Sequence, residues 1–408
     1  MKDKKVGIIG AGGRGLGLAR SIAYSNHNMR VASLCDKYEE RAQESKESIE
    51  RVFSEAGKPT KVRTYSDYKE LIDNDDLDLI MITAPQFFHE EPFRYALKKG
   101  KRVFCEKPLA HSMEAIDNMY DAWTENNKKN AMVGFTRRYE NTWRRAKEII
   151  DKGWIGNVKM TLMRSVIHHP SYFHKWYSQV EYSGGVLNEK SAHHFDVLNW
   201  FSGAKPQMIS AMGGRSVYTP QDAYPEWCNE CDKNCEYRFS YNEDFKNQSQ
   251  RQSPIYIKTA VNSKDEFLAK DKCVYAKDTN TIDHAIVNIS YENGIKGQLF
   301  LSVFGYHTED METLEVVGDK GKLRLERVSG KIEVDYDYGR EHMTIDARGK
   351  YHNDGTGHFG ADIEIINAIN GFVCNDIKPP ANVYDGYIAS RMSFLATESC
   401  KTNKVYEI

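Results

Sequence analysis

Three groups of residues in this 408-residue chain have the types and spacing to do chemistry. The first is Gly10-Ala11-Gly12-Gly13-Arg14-Gly15, directly after the apolar run 6–9. Gly10 permits a tight turn, Gly12 lets backbone approach a pyrophosphate, and Gly15 lets the following helix pack on the preceding strand with its N-terminus facing phosphate charge. Asp36 follows at the distance where an acidic side chain accepts hydrogen bonds from the adenosine ribose, which favours NAD; Lys37, next in sequence, can meet the 2′-phosphate of NADP. The second group is Glu189, His193 and Asp196, three or four residues apart, which share a face if the segment after Gly184-Gly185 is one helix. An imidazole titrates near neutrality, so with an orienting carboxylate it suits the removal of a hydroxyl proton while hydride leaves the same carbon. The third is Cys228, Cys231, Cys235 and Cys273, with spacing close to a structural zinc knuckle that would pin an insertion around 218–275; reduced thiols are the competing reading. Cys35, Cys105, Cys374 and Cys400 are scattered and read as small core residues.

The elements that must carry these residues change character along the chain. Up to residue 135, strands at 6–9, 30–35, 77–83, 102–105 and 130–134 alternate with helices at 16–24, 39–56, 90–99 and 115–127, the pattern of a parallel, doubly wound sheet. Its ligands belong at the carboxyl ends of the strands. Asp36, Thr83, Pro85, His89, Glu106 and Lys107 all follow such ends. Singly, Asp36 reads as a helix cap, His89 as a surface residue and Lys107 as a solvated loop lysine; their common location favours the functional reading.

Beyond Gly134 the pattern is mostly strands, at 158–167, 209–212, 285–291 and 296–304. Asn293-Gly294 is expected to form a type I′ hairpin turn, and a second hairpin is expected across Gly318-Asp319-Lys320-Gly321. The fold class is therefore α/β, an N-terminal Rossmann domain (1–135) followed by an α+β domain with a largely antiparallel open sheet (136–408). The stretch 168–177 offers Tyr172 and Trp176 either as a platform for a sugar ring or as a packed aromatic loop. Composition narrows the partners. A net charge of −2 with no long basic block excludes the footprint of a nucleic-acid binder, and 28% charged with 40% hydrophobic residues excludes disorder. The short apolar run at 6–9 is far below a signal-peptide core or membrane span, so a cytoplasmic protein with small-molecule partners is expected.

On these residues the chain resembles the Gfo/Idh/MocA family of glucose-fructose oxidoreductase, inositol dehydrogenase and related proteins. The resemblance is carried by the segment from Val6 to Gly15, Thr83-Ala84-Pro85 with His89, the segment from Gly100 to Pro108, Gly134-Phe135-Thr136-Arg137-Arg138-Tyr139, and the segment from Glu189 to Asp196; it is dense over 6–196 and thins beyond. It implies that Lys107 stands between nicotinamide and substrate, that His193 is the acid/base, and that the two converge. Cofactor contacts would come from Gly10, Gly12, Gly13, Arg14, Asp36, Thr83, Pro85, His89, Glu106 and Lys107. The family signature of Asp, three residues, His, two residues, Asp is kept in spacing here, with Glu189 in place of the first Asp and with Lys190 and His194 as additions. Substrate contacts are expected from Arg138, Tyr172, Trp176, Lys190 and His194, and from His358, whose surroundings are similar to a segment of sugar-acting branches. The open sheet face implies a homodimer or homotetramer. The activity implied is NAD-dependent oxidation of a sugar, sugar derivative or cyclitol. The departures at 189–194 keep open a glycoside-cleaving enzyme that oxidises a ring hydroxyl transiently, and the fold also serves non-enzymatic dinucleotide sensors.

Overall fold

A computed structural model describes residues 3–174, 176–238, 272–306, 311–352 and 357–408; the part of the expected insertion at 239–271 lies outside them. The chain divides into two units. In the first, β1 (Lys4–Ile9), α1 (Gly13–Tyr24), β2 (Met29–Cys35), α2 (Glu39–Glu55), β3 (Arg63–Tyr65), α3 (Tyr68–Asn74), β4 (Leu79–Ile82), α4 (Glu90–Lys98), β5 (Arg102–Cys105), α5 (Met113–Glu125) and β6 (Ala131–Val133) alternate in order. All six strands are parallel, in the order β3-β2-β1-β4-β5-β6. Apolar runs become central strands because helices cover both faces: all four residues of β4 are fully buried. The order reverses between β1 and β4, so the carboxyl ends of those strands flank the crevice where doubly wound sheets take their ligands. Helix starts follow local rules, as at α5, where the Ser112 hydroxyl accepts the Ala115 N–H at 3.2 Å. The three-residue β3 and the short α3 were not anticipated; neither is long enough to show a period.

The second unit contains α6 (Asn141–Asp151), β7 (Val158–Val166), α7 (Val180–Ser183), α8 (Val186–Glu189), α9 (Ala192–Ser202), β8 (Pro206–Gly214), β9 (His284–Tyr291), β10 (Lys296–Ser302), β11 (Glu312–Gly318), β12 (Lys322–Glu326), β13 (Lys331–Tyr336) and β14 (Glu341–Asp346). Helix α10 (Ala361–Asn375) belongs to the first unit from Asp362 onward, as does α11 (Val383–Thr402) through Tyr387; the rest of α11 and β15 (Tyr406–Glu407) return to the second. Nine strands form one sheet, ordered β14-β13-β12-β11-β7-β10-β9-β8-β15, antiparallel at every junction except β7 with β10. Alternation sets its two faces. Met163, Leu299, Val287 and Leu314 are buried, whereas Met160, Leu162, Phe300 and Met212 stand exposed on the other side.

Two local expectations change. At the β9–β10 turn only Gly294 takes a left-handed φ, +82°, and the Tyr291 and Ile295 backbones pair across it, so this is a bulged turn with one left-handed glycine rather than type I′, which needs two such residues. The segment after Gly184-Gly185 is two helices, α8 and α9, broken at Lys190-Ser191. Glu189 therefore ends one helix and His193 opens the next, and helical spacing does not set their relation. No helix among the described residues is long and apolar enough to cross a membrane.

Candidate active site

In the first unit the glycine turn is fixed by sterics. Gly10 has φ +101°, and a Cβ there would lie 2.5 Å from the Ala84 nitrogen; a Cβ on Gly15 would lie 2.5 Å from the Gly10 carbonyl oxygen. A Cβ on Gly12 would meet nothing within 4 Å, so the turn stays open where a pyrophosphate would approach, ahead of a helix with no side-chain cap and no acid in its first turn. Gly13 is the first residue of that helix. The Thr83 hydroxyl donates to the Gly10 carbonyl at 2.8 Å, closing the turn from β4. Pro85 leads into a short turn ending at His89. His89 is buried, with Nε2 2.8 Å from the Ala84 carbonyl oxygen and Nδ1 3.1 Å from those of Pro108 and Leu109. Burial foremost lowers its pKa. His89 thus ties the loop after β4 to the loop carrying Lys107, itself half-buried.

Arg14 and Asp36 are each held by partners the motif did not reveal. Arg14 Nε donates to Glu106 at 2.5 Å and Nη1 to Asp362 at 2.7 Å. Burial works against its charge, but the two carboxylates outweigh that and raise its pKa. The second Glu106 oxygen accepts the Lys107 N–H at 3.1 Å, so Arg14 fixes the carboxylate that in turn fixes the Lys107 backbone. At Asp36, Oδ2 accepts from Ala11 N–H (2.9 Å) and Arg41 Nε (3.0 Å), and Oδ1 from Tyr38 N–H (3.0 Å) and Arg41 Nη2 (2.6 Å).

In the second unit the family-like segment meets a buried cluster of charges. Glu312, fully buried at the start of β11, accepts from Arg137 Nη2 (3.0 and 2.7 Å) and Lys190 Nζ (2.5 Å), with Arg327 Nη1 at 3.2 Å and His194 Nε2 at 3.5 Å. Glu140 accepts from Arg327 Nε (2.8 Å) and Nη2 (2.7 Å) and from Trp143 Nε1 (3.0 Å). Burial alone would raise the pKa of either carboxylate, yet the surrounding cations hold Glu140 below and Glu312 well below the usual range. Burial foremost lowers His194 to about 4 and Lys190 to about 8. Tyr172 is raised well above its ordinary value, by burial first and then by Glu189 and Glu312. Tyr172, Glu189, Lys190 and His194 therefore share one neighbourhood.

The other expected residues are distributed differently. Asp196 is occupied by Arg138, whose Nε and Nη2 donate at 2.7–3.1 Å while its guanidinium lies 5.6 Å from the Trp200 ring. His193 is buried in the first turn of α9. Trp176 is buried against Tyr177, ring centroids 3.9 Å apart, as a packed aromatic loop would be. His358 is exposed, in a left-handed turn with Phe359 and Gly360.

The zinc expectation finds no support among the described residues. Cys228, Cys231 and Cys273 are buried and Cys235 partly so, none of them in a disulfide, and among the described residues no group of three or more His, Cys, Asp and Glu side chains is arranged to hold a metal. Other contacts anchor the segment. Asp283 accepts the backbone N–H groups of Ser216, Val217 and Tyr218; Arg215 donates to the carbonyls of Tyr218, Thr279, Val274 and Ala276; and the Tyr218 ring meets Phe173 at a tilt and Tyr237 edge to face.

Residues 4–135 match the Gfo/Idh/MocA oxidoreductase family, NAD-binding Rossmann fold, and residues 147–408 match that family's C-terminal α/β domain. The chain belongs to the Gfo/Idh/MocA oxidoreductase family. Within it, inositol 2-dehydrogenase of Salmonella typhimurium is 31% identical over 196 residues, 48% of this chain and 54% of that protein, so the chain spans about half the length of the curated relatives it matches. Two solved structures share the fold over their whole length. Scyllo-inositol dehydrogenase from Lactobacillus casei with bound NAD(H) and scyllo-inositol has a TM-score of 0.68 at 19% identity, covering 100% of this chain and 99% of that one. Levoglucosan dehydrogenase in complex with NADH and levoglucosan reaches 0.74 at 17% identity, covering 100% of both. Arg41, Glu140, Glu312, Arg327 and Asp362, which the motifs did not single out, complete the charge pairing with Arg14, Asp36 and Arg137 in this Gfo/Idh/MocA chain.

Proposed function

We propose that the protein is a nicotinamide-dependent dehydrogenase of a secondary hydroxyl on a sugar, sugar derivative or cyclitol. The observation that carries this is the glycine turn: Gly10 and Gly15 admit no side chain, while Gly12 leaves the space a dinucleotide needs. The names of the related proteins, inositol, scyllo-inositol and levoglucosan dehydrogenases, support the polyol class. Bound in that turn, the dinucleotide supplies the hydride acceptor. His193 takes the hydroxyl proton, Lys107 stabilises the developing alkoxide, and Glu106 with Arg14 holds the Lys107 backbone. The test is reduced-cofactor absorbance on a panel of cyclitols, sugars and anhydrosugars. Turnover of at least one is expected. Saturable NADH binding with no turnover on any would sink the reading, and release of an aglycone from a glycoside without net cofactor reduction would replace it with the glycoside-cleaving one.

Cofactor choice is proposed to turn on Arg41. Four donors already occupy the Asp36 carboxylate, so the ribose hydroxyls of NAD can bind it only by displacing Arg41, which a 2′-phosphate would instead attract. Arg41→Ala is expected to weaken NADPH binding by about tenfold or more, the worth of a charge-assisted hydrogen bond, and to leave NADH binding unchanged or tighter, as read by fluorescence titration. Equal losses for both nucleotides would contradict it. Self-association is proposed through the exposed sheet face, where Arg164, Phe300, Ile286 and Met212 align in register across four strands; the mass in solution by sedimentation tests it.

A further inference from the structure

Arg14 stands where a cation is disfavoured twice over. It is the second residue of α1, at the end of a helix where the peptide dipoles favour negative charge, and burial works against its guanidinium. Two carboxylates hold it there, from distant parts of the first unit. Glu106, just after β5, accepts from Nε at 2.5 Å, and Asp362, the second residue of α10 and 348 positions away in sequence, accepts from Nη1 at 2.7 Å. Nη2 is buried and makes no hydrogen bond among the described residues, so the hold on the guanidinium comes through Nε and Nη1. Because the group is planar, those two contacts set its plane, and Glu106 alone would leave it free to pivot. Glu106 has little freedom of its own. Its second oxygen accepts the Lys107 N–H at 3.1 Å, its side chain is 9% exposed, and it lies against bare backbone at Gly134, where a Cβ would come within 3.1 Å of Cδ and Oε1. Asp362 is as enclosed, its side chain 7% exposed.

We propose that Asp362 is a positioning residue for the oxidation step: by anchoring Arg14 it fixes Glu106, and through Glu106 the backbone at Lys107, so that the Lys107 ammonium meets the reacting hydroxyl already in place. The competing account is an ion pair that stabilises the fold and nothing more. Enclosed ion pairs contribute little net stability, because desolvating each charge offsets their attraction. A chain of charge-assisted hydrogen bonds with one geometry suits instead a group that must be held to within about 0.5 Å. Each link runs toward the loop carrying Lys107. That loop has a second, separate hold, since the ring of His89 lies against the Pro108 and Leu109 carbonyls. The backbone is thus tied at Lys107 by Glu106 and just beyond it by His89. The catalytic role of Asp362 rests on the dehydrogenase reading; the physical tie from Asp362 to Lys107 does not.

The test replaces Asp362 in the full chain and follows Lys107 in two ways. With a substrate that turns over, Asp362→Ala is expected to lower kcat about tenfold or more while KM and the NADH dissociation constant stay within about threefold of wild type, since displacing a catalytic group costs rate rather than ground-state binding. Asp362→Asn, which keeps an acceptor for Arg14 Nη1, should recover most of the loss and guards against a mere folding defect. In the Lys107→Ala background, Asp362→Ala should cost less than about twofold more, because the group it positions is gone. Independently of turnover, lysines methylated reductively with isotope-labelled formaldehyde give NMR resonances, and the one missing from Lys107→Arg belongs to Lys107. It is expected to shift or broaden in Asp362→Ala and to return in Asp362→Asn, the other lysines unmoved. Additive losses in the double variant, a loss of NADH affinity as large as the loss of kcat, or an unmoved Lys107 resonance would overturn the proposal. A displaced resonance in a chain that oxidises no compound would uphold the tie from Asp362 to Lys107 while overturning the dehydrogenase reading, and the catalytic role with it.

Discussion

His193→Ala and Lys107→Ala are each expected to lower kcat by about 10²- to 10⁴-fold, the usual contribution of a positioned acid/base or charge-stabilising group. The dissociation constant for NADH should change little in His193→Ala, because the glycine turn and the Asp36 loop that would hold the dinucleotide belong to the first unit and His193 to the second. Combining the two variants should cost less than the product of the single losses, since both act on the same hydroxyl in the same step. The comparison needs a substrate found in the panel above, initial rates, and NADH titrations on each variant. Wild-type kcat in His193→Ala would remove the proposed base. A kcat loss matched by an equal loss of NADH affinity in Lys107→Ala would make that lysine a cofactor ligand rather than a participant in the chemistry.

Which of these residues the sequence disclosed follows a physical rule. The six-stranded sheet was legible because β4 is an unbroken apolar run and β1 ends in one before its glycine turn, and because Gly10 and Gly15 occupy positions that exclude any Cβ. The α8–α9 break was not legible: Glu189 to Asp196 has helical spacing, and the interruption at Lys190-Ser191 arises where Lys190 turns toward Glu312 of a strand more than a hundred residues away. Arg138 and Asp196 show the same limit, each conspicuous in its own motif while their mutual pairing is a tertiary fact. Glu312 and Arg327 did leave a trace. Glu312 is in phase with buried Leu314 and Val316, and Arg327 with buried Leu323 and Leu325, so each charge stands on the inward register of its strand. A period-two count that flags ionisable residues on the apolar phase finds both, and their opposite signs on adjacent strands make them partners. The cysteine spacing shows the converse: a ligand pattern is necessary for a metal site but not sufficient, and a segment whose backbone is held by Asp283 and Arg215 has another means of staying ordered.

Glu312→Gln is expected to destabilise the protein by about 3–5 kcal/mol, the range for removing one partner of a buried ion pair, read as a lower denaturant midpoint at pH 7. Arg137 before α6, Lys190 between α8 and α9, and Arg327 after β12 all direct N–H donors at this carboxylate, with His194 of α9 beside it, so the amide removes the counter-charge that the three cations share. The sign of the pH dependence follows. Glu312 is held well below, and Glu140 below, the ordinary 4.5, so the stability they contribute is present above pH 4.5 and lost as pH falls beneath it toward their folded values. Wild type should therefore weaken steeply below about pH 4.5, and Glu312→Gln, already without the larger share, should show a shallower decline. Lys190→Met placed on top of Glu312→Gln should recover part of the loss, because it removes one of the cations left without a counter-charge, whereas in the wild-type background the same substitution removes a partner of Glu312. Unchanged midpoints in Glu312→Gln at pH 7, or a double variant weaker than the sum of its parts, would mean that the cluster is solvated rather than enclosed.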